Sequence, residues 1–205
     1  DGNVISGGVP DGWAIFSAEV LGGLSPDVNN LENPAVAGAY VAGVGDISSS
    51  NDGGTWVGIH DRIDEPFLSN QGLSDVREGL YQSVSLKAGV TYTISFEQAN
   101  FGAENLFLFS NNGKVEVFID AGSTEPTTLV GDGGAMSLGT QWNNASITFT
   151  PTASGTHSIG FRAKTTSGDK LGAYMSIDGI KIVEQSNTSA NNCPVANDDG
   201  NIVNE

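Results

Sequence analysis

Acidic and carboxamide side chains are concentrated in two stretches that follow apolar, alternating segments of the chain. The first stretch contains five acids, and the second contains an acid between two asparagines. In order they are Asp61, Asp64, Glu65, Asp75 and Glu78, then Asn100, Glu104 and Asn105. Calcium takes about six to eight oxygen ligands, and loops can wrap around the ion to supply them. The two stretches therefore predict a calcium site, with solvated acidic loops that form weak surface ion pairs as the alternative.

One more acid stands apart from these stretches. Asp178 lies between Ile177 and Ile180, near the end of the last apolar segment. An acid in apolar surroundings needs a partner or an ion, so we include Asp178 among the candidate metal ligands.

Residues beside the acids could contact a ligand directly. Arg62 or Arg77 could bind a carboxylate in a bidentate manner, and a calcium ion with an open position could bind a carboxylate or a sugar diol. Trp56 and Tyr81 are predicted to point away from the core, where an aromatic ring could stack on a sugar. Alternatively, other segments cover these rings. The remaining candidate ligand contacts are His60 and Asn105.

The elements that position these residues are predicted to be β-strands, because apolar residues alternate and turn residues recur between them. No segment has convincing helical periodicity. Strands are expected at 13–20, 37–42, 55–62, 79–86, 90–99, 106–110, 114–120, 145–150, 156–164 and 173–184. Asn111-Asn112-Gly113 predicts a hairpin turn. The pattern is typical of an all-β fold, an antiparallel β-sandwich or jelly roll.

The strand order predicts that the two acidic stretches meet. If 55–62 runs up the sandwich, then 79–86 runs down and 90–99 runs up again. The loops 61–78 and 100–105 then lie at the same end of the sandwich. The first is longer than the roughly 12–15 residues beyond which a loop usually has a function or is disordered, which argues against a plain structural spacer.

Composition narrows the classes of function. Eight Lys+Arg against 24 Asp+Glu give a net charge of −16, which argues against nucleic acid and anionic membrane surfaces as partners. The longest apolar runs are far too short for direct membrane insertion. The single Cys193 excludes an internal disulfide framework. There is no Gly-x-Ser-x-Gly or His-Glu-x-x-His motif, and we expect no enzymatic activity.

Two groups of motifs resemble known families. Gly-Gly-Thr-Trp-Val-Gly-Ile at 53–59, followed by 78–84, 87–96 and 175–182, resembles jelly-roll modules related to carbohydrate-binding modules. Pro-Val-Ala-Asn-Asp-Asp-Gly at 194–200 is similar to the opening of cadherin-like repeats in giant calcium-dependent RTX adhesins of Gram-negative bacteria. Taken together, the chain resembles the peptide-binding domain of adhesins of the ice-adhesin type.

The resemblance implies calcium-dependent binding of short peptides, through a free C-terminal carboxylate, on surface proteins of a target cell. Glycans are the alternative partners, because sugar-binding modules share the architecture. In those modules the position of Asp178 often binds a structural calcium, but their usual Asn-Gly-x-Phe-Glu segment is missing here. We expect residues 1–184 to form the ligand-binding domain, and 185–205 a linker and the start of a following cadherin-like repeat. The expected setting is extracellular, as a monomeric module of a larger protein on the bacterial cell surface.

Overall fold

The computed structural model describes residues 9–16, 26–30, 51, 53–62, 77–102, 111–167 and 172–185. These residues form ten β-strands and no helix. The strands are β1 (Ala14–Phe16), β2 (Asp27–Asn30), β3 (Thr55–Arg62), β4 (Gly79–Leu86), β5 (Tyr92–Ala99), β6 (Asn112–Ala121), β7 (Leu129–Asp132), β8 (Asn143–Phe149), β9 (Gly155–Ser167) and β10 (Gly172–Glu184). Within these ranges there is accordingly no helix that could span a membrane.

The strands form two five-stranded sheets that pack face to face. Sheet A has the order β2-β3-β10-β5-β8, and sheet B has the order β1-β4-β9-β6-β7. Every pairing is antiparallel. The predicted all-β antiparallel sandwich is confirmed.

The core lies between the sheets and uses alternate residues of each strand. Ile94 and Phe96 of β5 face Val117 of β6 and Phe161 of β9 across this layer, and all four are 1% exposed or less. Burial of such apolar area is the main favourable term in folding, at about 25 cal/mol per Å². This core cluster includes Leu80 and Leu86 of β4, and Ile159 and Ala163 of β9.

The sequence patterns were wrong about one turn and missed two strands. Asn112 and Gly113 belong to β6 and pair with Ser167 and Thr165, so the predicted hairpin turn is not formed there. Gly113 fits this position because a Cβ would collide with side chains of β10. The missed strands β2 and β7 have four residues each, which is too short for a clear alternation. The predicted strands 37–42 and 106–110 lie outside the described residues.

Gln98 connects the two sheets. It is fully buried, and its Nε2 donates to the carbonyl oxygens of Gly133 (2.6 Å) and Gly134 (2.9 Å). Its Oε1 accepts from the backbone N–H of Val115 at 3.0 Å. The Gln98 amide thus bonds to one backbone group of β6 and to two of the segment that follows β7. These hydrogen bonds fix the position of β5 over β6.

Candidate functional site

The candidate site lies at the loop end, which we define as the end where β3, β5 and β9 finish and β4, β6 and β10 begin. Asp61 forms an isolated antiparallel bridge with Arg77, so the end of β3 lies beside the residues that precede β4. Arg62 pairs with Gly172, whose carbonyl accepts from the N–H of Asn111 at 3.1 Å. The described ends of both acidic stretches therefore lie at the same end of the sandwich, as predicted.

Asp61 is fully buried at this end and is held by both sheets. One carboxylate oxygen, Oδ1, lies 3.2 Å from Nε of Arg77. The other, Oδ2, accepts from the backbone N–H of Thr165 in β9 at 2.5 Å. The Thr165 hydroxyl in turn accepts from the N–H of Ala173 at 3.0 Å. Asp61 therefore joins β3, β9 and β10, and its contacts are those of a buried ion pair.

Glu78 and His60 form a second buried pair. Glu78 Oε2 lies 2.7 Å from Nδ1 of His60 and accepts from the His60 backbone N–H at 3.1 Å. The backbone N–H of Glu78 donates to the His60 carbonyl at 2.7 Å, which locks the two residues side by side. Glu78 is 1% exposed. This pair holds the end of β3 against the residue that precedes β4.

Asn100 supports the other side of the loop end. Its Nδ2 donates to the carbonyl oxygens of Asn111 (2.9 Å) and Met136 (3.1 Å), and the residue is 1% exposed. Oδ1 of Asn100 and Oε1 of Glu78 are among the buried oxygens that have no hydrogen-bond partner in the described part of the structure. Buried acceptors of this kind are uncommon and are usually satisfied by water, an ion or a ligand.

The described residues do not by themselves make a metal site. Among them there is no group of three or more His, Cys, Asp or Glu side chains that could hold an ion. The other predicted calcium ligands in the two stretches, Asp64, Glu65, Asp75 and Glu104, lie outside the described residues, as do Asn105 and the side chain of Arg62. A site at this end would need oxygens from those segments.

All three arginines of the chain lie at or near the loop end. Arg62 is the last residue of β3, Arg77 precedes β4, and Arg162 pairs with Gly79 at the start of β4. The Arg162 guanidinium lies 4.4 Å from the ring centroid of Phe118. Burial and then the charge of Arg77 lower the pKa of Arg162, so the two cations lie near one another. This end therefore combines cationic and acidic groups although the whole chain is strongly acidic.

The two aromatic candidates differ in exposure. Trp56 points to the outer face of sheet A, as predicted, but it is 2% exposed. Phe101 and Trp142 pack against it at centroid distances of 5.9 and 6.0 Å, so no open ring face is available for stacking. Tyr81 is half-buried on the outer face of sheet B, with its ring 6.4 Å from that of Phe16. Of the two predicted stacking rings, only Tyr81 is accessible.

Asp178 lies apart from Asp61. It lies at a β-bulge of β10, where the register shifts before Lys181, and its cross-strand neighbour is Glu97. The Glu97 carboxylate accepts from the backbone N–H of Asn51 at 2.7 Å. Asp61 pairs with Ala173, five residues before Asp178 in β10, so Asp178 and Asp61 are roughly 16 Å apart along the strand and cannot share one ion.

Sequence reasoning missed the groups that cover the outer faces of the sheets. Phe101 and Trp142 cover Trp56, and Phe16 and Phe118 flank Arg162. The outward position of Phe118 could be read from strand alternation. Its contact with Arg162 could not, because it depends on which strands are neighbours in the sheet.

Comparisons with known proteins support the fold. No protein family matches the sequence, and no curated protein matches it significantly. A cyclase from Fischerella sp. TAU in complex with 4-(1H-indol-3-yl)butan-2-one is similar in structure, with 15% identity, a TM-score of 0.56 and coverage of 89% of this chain and 88% of that one. The K3 cleaved adhesin domain of Lys-gingipain from Porphyromonas gingivalis W83 has 11% identity, a TM-score of 0.50 and coverage of 85% and 92%. At these identities the likeness shows the fold alone.

Proposed function

We propose that this chain is a calcium-dependent ligand-binding module of a bacterial surface adhesin that recognises the free C-terminal carboxylate of short peptides. The observation that carries the proposal is the position of the three arginines at or near the loop end, close to the acidic stretches. An arginine fork matches a carboxylate in geometry as well as charge. In a chain with a net charge of −16, this group of arginines provides a region of positive charge where an anion can bind.

Calcium fits the oxygen-rich chemistry of the same end. Glu78 Oε1 and Asn100 Oδ1 are buried acceptors without a hydrogen-bond partner among the described residues. Carboxylate and carboxamide oxygens are the ligands that calcium prefers. When bound, the ion would supply positive charge for the ligand carboxylate, with further oxygens from Asp64, Glu65, Asp75 or Glu104. Asp61 would act mainly as a support, because both of its oxygens already have partners.

The described residues favour binding over catalysis. His60 is engaged by Glu78, and Nδ1 of His157 lies 3.1 Å from the carbonyl oxygen of Gly155. Each imidazole therefore has a structural contact rather than a nucleophile beside it. The proposed setting is the bacterial cell surface, outside the cell, where a module of a longer chain would reach surface proteins of another cell. The adhesin domain of Lys-gingipain shares the fold, which agrees with this setting.

The test is binding to an immobilised peptide library with free or amidated C-termini, in calcium and in chelator. We expect binding only to free C-termini and only with calcium. Equal binding to amidated peptides, or full binding in chelator, would contradict the proposal.

A second test replaces an arginine of the same site by lysine, which keeps the positive charge of the side chain. Arg77→Lys retains the positive charge but loses the bidentate fork, and we expect peptide binding about tenfold weaker or worse. Lys87→Arg is the matched control, because Lys87 is exposed at the turn after β4, at the opposite end. Unfolding curves of both variants should match the unmodified protein, which separates lost binding from lost structure.

Glycan binding is the second candidate, and the accessible ring of Tyr81 favours it. Tyr81 lies on the same outer face of sheet B as Arg162, where a sugar ring could stack on the phenol. A glycan array would then give binding that is lost in Tyr81→Ala and kept in Arg77→Lys. Trp56→Phe would have no effect on it, since the Trp56 ring is buried.

A further inference from the structure

Among the strands that the structure describes, β8 is the longest of the four that lie at the edges of the two sheets. It has seven residues, whereas β1 has three and β2 and β7 have four each. Its sequence, Asn-Asn-Ala-Ser-Ile-Thr-Phe, contains no charged residue and no proline, and it pairs with β5 without a bulge. Charges, prolines and bulges are the features by which natural edge strands avoid further pairing. Since β8 has none of them, its open side is suited to accept another strand.

The direction of the backbone groups of β8 follows from the strands beside it. The N–H of Gln185 donates to the carbonyl of Thr91 at 2.8 Å, so the backbone groups of Thr91 face β10. Because this direction alternates along a strand, the backbone groups of Tyr92, Ile94 and Phe96 face β8. Their partners in β8 are Phe149, Ile147 and Ala145. The intervening residues of β8 therefore direct their N–H and C=O groups away from β5, and these are Asn144, Ser146 and Thr148.

The open side of β8 has a polar face and an apolar face. The side chains of Asn144, Ser146 and Thr148 are exposed, and no strand within the described ranges pairs with this side. Ile147 packs against the core, and a Cβ at Gly131 of β7 would lie 3.1 Å from its side chain. Sheet B therefore extends as far as β8. A strand added beside β8 would have one face towards sheet B and the other towards solvent.

We propose that β8 binds an extended segment of another protein, which adds to sheet A as an antiparallel sixth strand with alternating apolar and polar side chains. In this mode of recognition the main-chain hydrogen bonds provide affinity and alternate side chains provide specificity. Antiparallel pairing is the more stable direction per residue. The net charge of −16 favours basic residues at the polar positions of the segment, and it disfavours a second copy of this chain as the partner.

This contact goes beyond the proposed function, because it requires neither calcium nor a free carboxylate. The test therefore uses the capped peptide acetyl-Lys-Val-Thr-Val-Thr-Val-Lys-amide in the presence of chelator. Binding is followed by amide chemical shifts and hydrogen exchange of the isotope-labelled protein. We expect exchange at Ser146 and Thr148 to slow by about tenfold or more at saturation. The amides of Ala145 and Ile147 already face β5 and should change little.

Two methylated forms of the peptide test the arrangement of the added strand. In antiparallel pairing, residues that exchange both hydrogen bonds lie directly opposite each other, with their side chains on the same face. The threonines of the peptide should therefore direct their N–H groups to β8, and the valines should direct theirs away. N-methylation of both threonines should weaken binding about tenfold or more, because two hydrogen bonds are lost. N-methylation of two valines should change the affinity by less than about threefold.

A variant of β8 tests the same contact from the side of the protein. Ser146→Pro removes one outward N–H, and an edge strand tolerates proline where that group faces solvent. We expect peptide binding to weaken about fivefold or more. Ser146→Ala is the matched control, because it also loses the hydroxyl but keeps the N–H, and it should bind the peptide within about twofold of the unmodified protein.

Three results would overturn the proposal. The two methylated peptides could bind equally well, or exchange at Ser146 and Thr148 could stay unchanged with the peptide at millimolar concentration. Exchange at these amides could also slow as the protein concentration rises without peptide, which would make a second copy the partner. The methylated peptides are compared on the unmodified protein, so the test remains decisive even if Ser146→Pro fails to fold.

Discussion

The hydroxyl of Tyr174 is buried on the outer face of sheet A, where it donates a hydrogen bond to Asp27 Oδ2 at 3.1 Å. The ring stacks beside His60 at a centroid distance of 6.3 Å. Burial first, and then the negative charge of Asp27, raises the pKa of Tyr174 well above its ordinary value of 10.0. The folded protein therefore keeps this phenol protonated at a pH where the unfolded chain releases the proton.

This difference predicts a loss of stability in alkali. Below pH 10.0, the ordinary pKa of tyrosine, the phenol is protonated in both states, so its contribution is fully present. Above that pH the unfolded state loses the proton first, and the stability falls by up to about 1.4 kcal/mol per pH unit until the folded pKa is reached. Absorbance of ionised tyrosine should show one phenol that titrates only as the protein unfolds.

Tyr174→Phe is the variant that checks this assignment. It should lose about 1 kcal/mol at pH 7, because the hydrogen bond to Asp27 is gone. Its stability should then fall less steeply above pH 10.0 than that of the unmodified protein. If the stability of the variant, measured by urea unfolding, falls as steeply above pH 10.0 as that of the unmodified protein, another group is responsible.

At the scale of residues, the sequence identifies groups that need partners but not the partners themselves. The sequence indicates that Glu78 and Asp61 are acids that could bind an ion. In the structure each is buried against a basic residue, His60 and Arg77 respectively, with the carboxylates placed by hydrogen bonds from β3 and β9. Pairings of this kind depend on which strands become neighbours, so strand alternation alone does not reveal them.

At the scale of elements, Gly58 shows how β3 and β10 fit together. It pairs with Ser176 and with Asp27, and the ring of Tyr174 lies over its Cα. A Cβ at this position would collide with the Tyr174 hydroxyl and ring. Because Gly58 of β3 has no side chain, the ring of Tyr174 has room to pack on the outer face of sheet A.

Gly58→Ala is therefore expected to destabilise the fold by about 2–3 kcal/mol, in the range of an overpacked site. Gly89→Ala serves as the comparison, because Gly89 has a φ of 73° and open space around it, so the cost is about 1 kcal/mol of backbone strain alone. In a Tyr174→Ala background the cost of Gly58→Ala should become small. An equal cost in both backgrounds, measured by urea unfolding, would contradict the packing argument.

The long strands were predictable and the short ones were not, for a physical reason. The bounds of β3 and β4 agree with those expected from the sequence, since eight alternating residues with flanking turn residues leave little ambiguity. β2 has the sequence Asp-Val-Asn-Asn and is a strand only because it pairs with β3. Asn112 and Gly113 have local turn propensity, which pairing with β9 overrides.

For the whole molecule, the charge of −16 affects stability independently of any single site. Like charges repel one another in the compact state, and salt screens this repulsion over a Debye length of about 10 Å at 0.1 M. Any salt should therefore raise the unfolding temperature. A calcium site would add a contribution that general screening cannot provide, since it depends on which cation is present.

This distinction gives a direct test of the calcium assignment. At matched ionic strength, calcium at about 100 times its dissociation constant should add about 2.7 kcal/mol, which raises the unfolding temperature by roughly 5–10 °C beyond sodium or magnesium. Glu78→Gln should reduce this extra shift, whereas Glu184→Gln, at an exposed ion pair, should retain it. Equal shifts with calcium and magnesium would mean that the acids act only through their total charge, and the peptide-binding mechanism would then have to rely on the arginines alone.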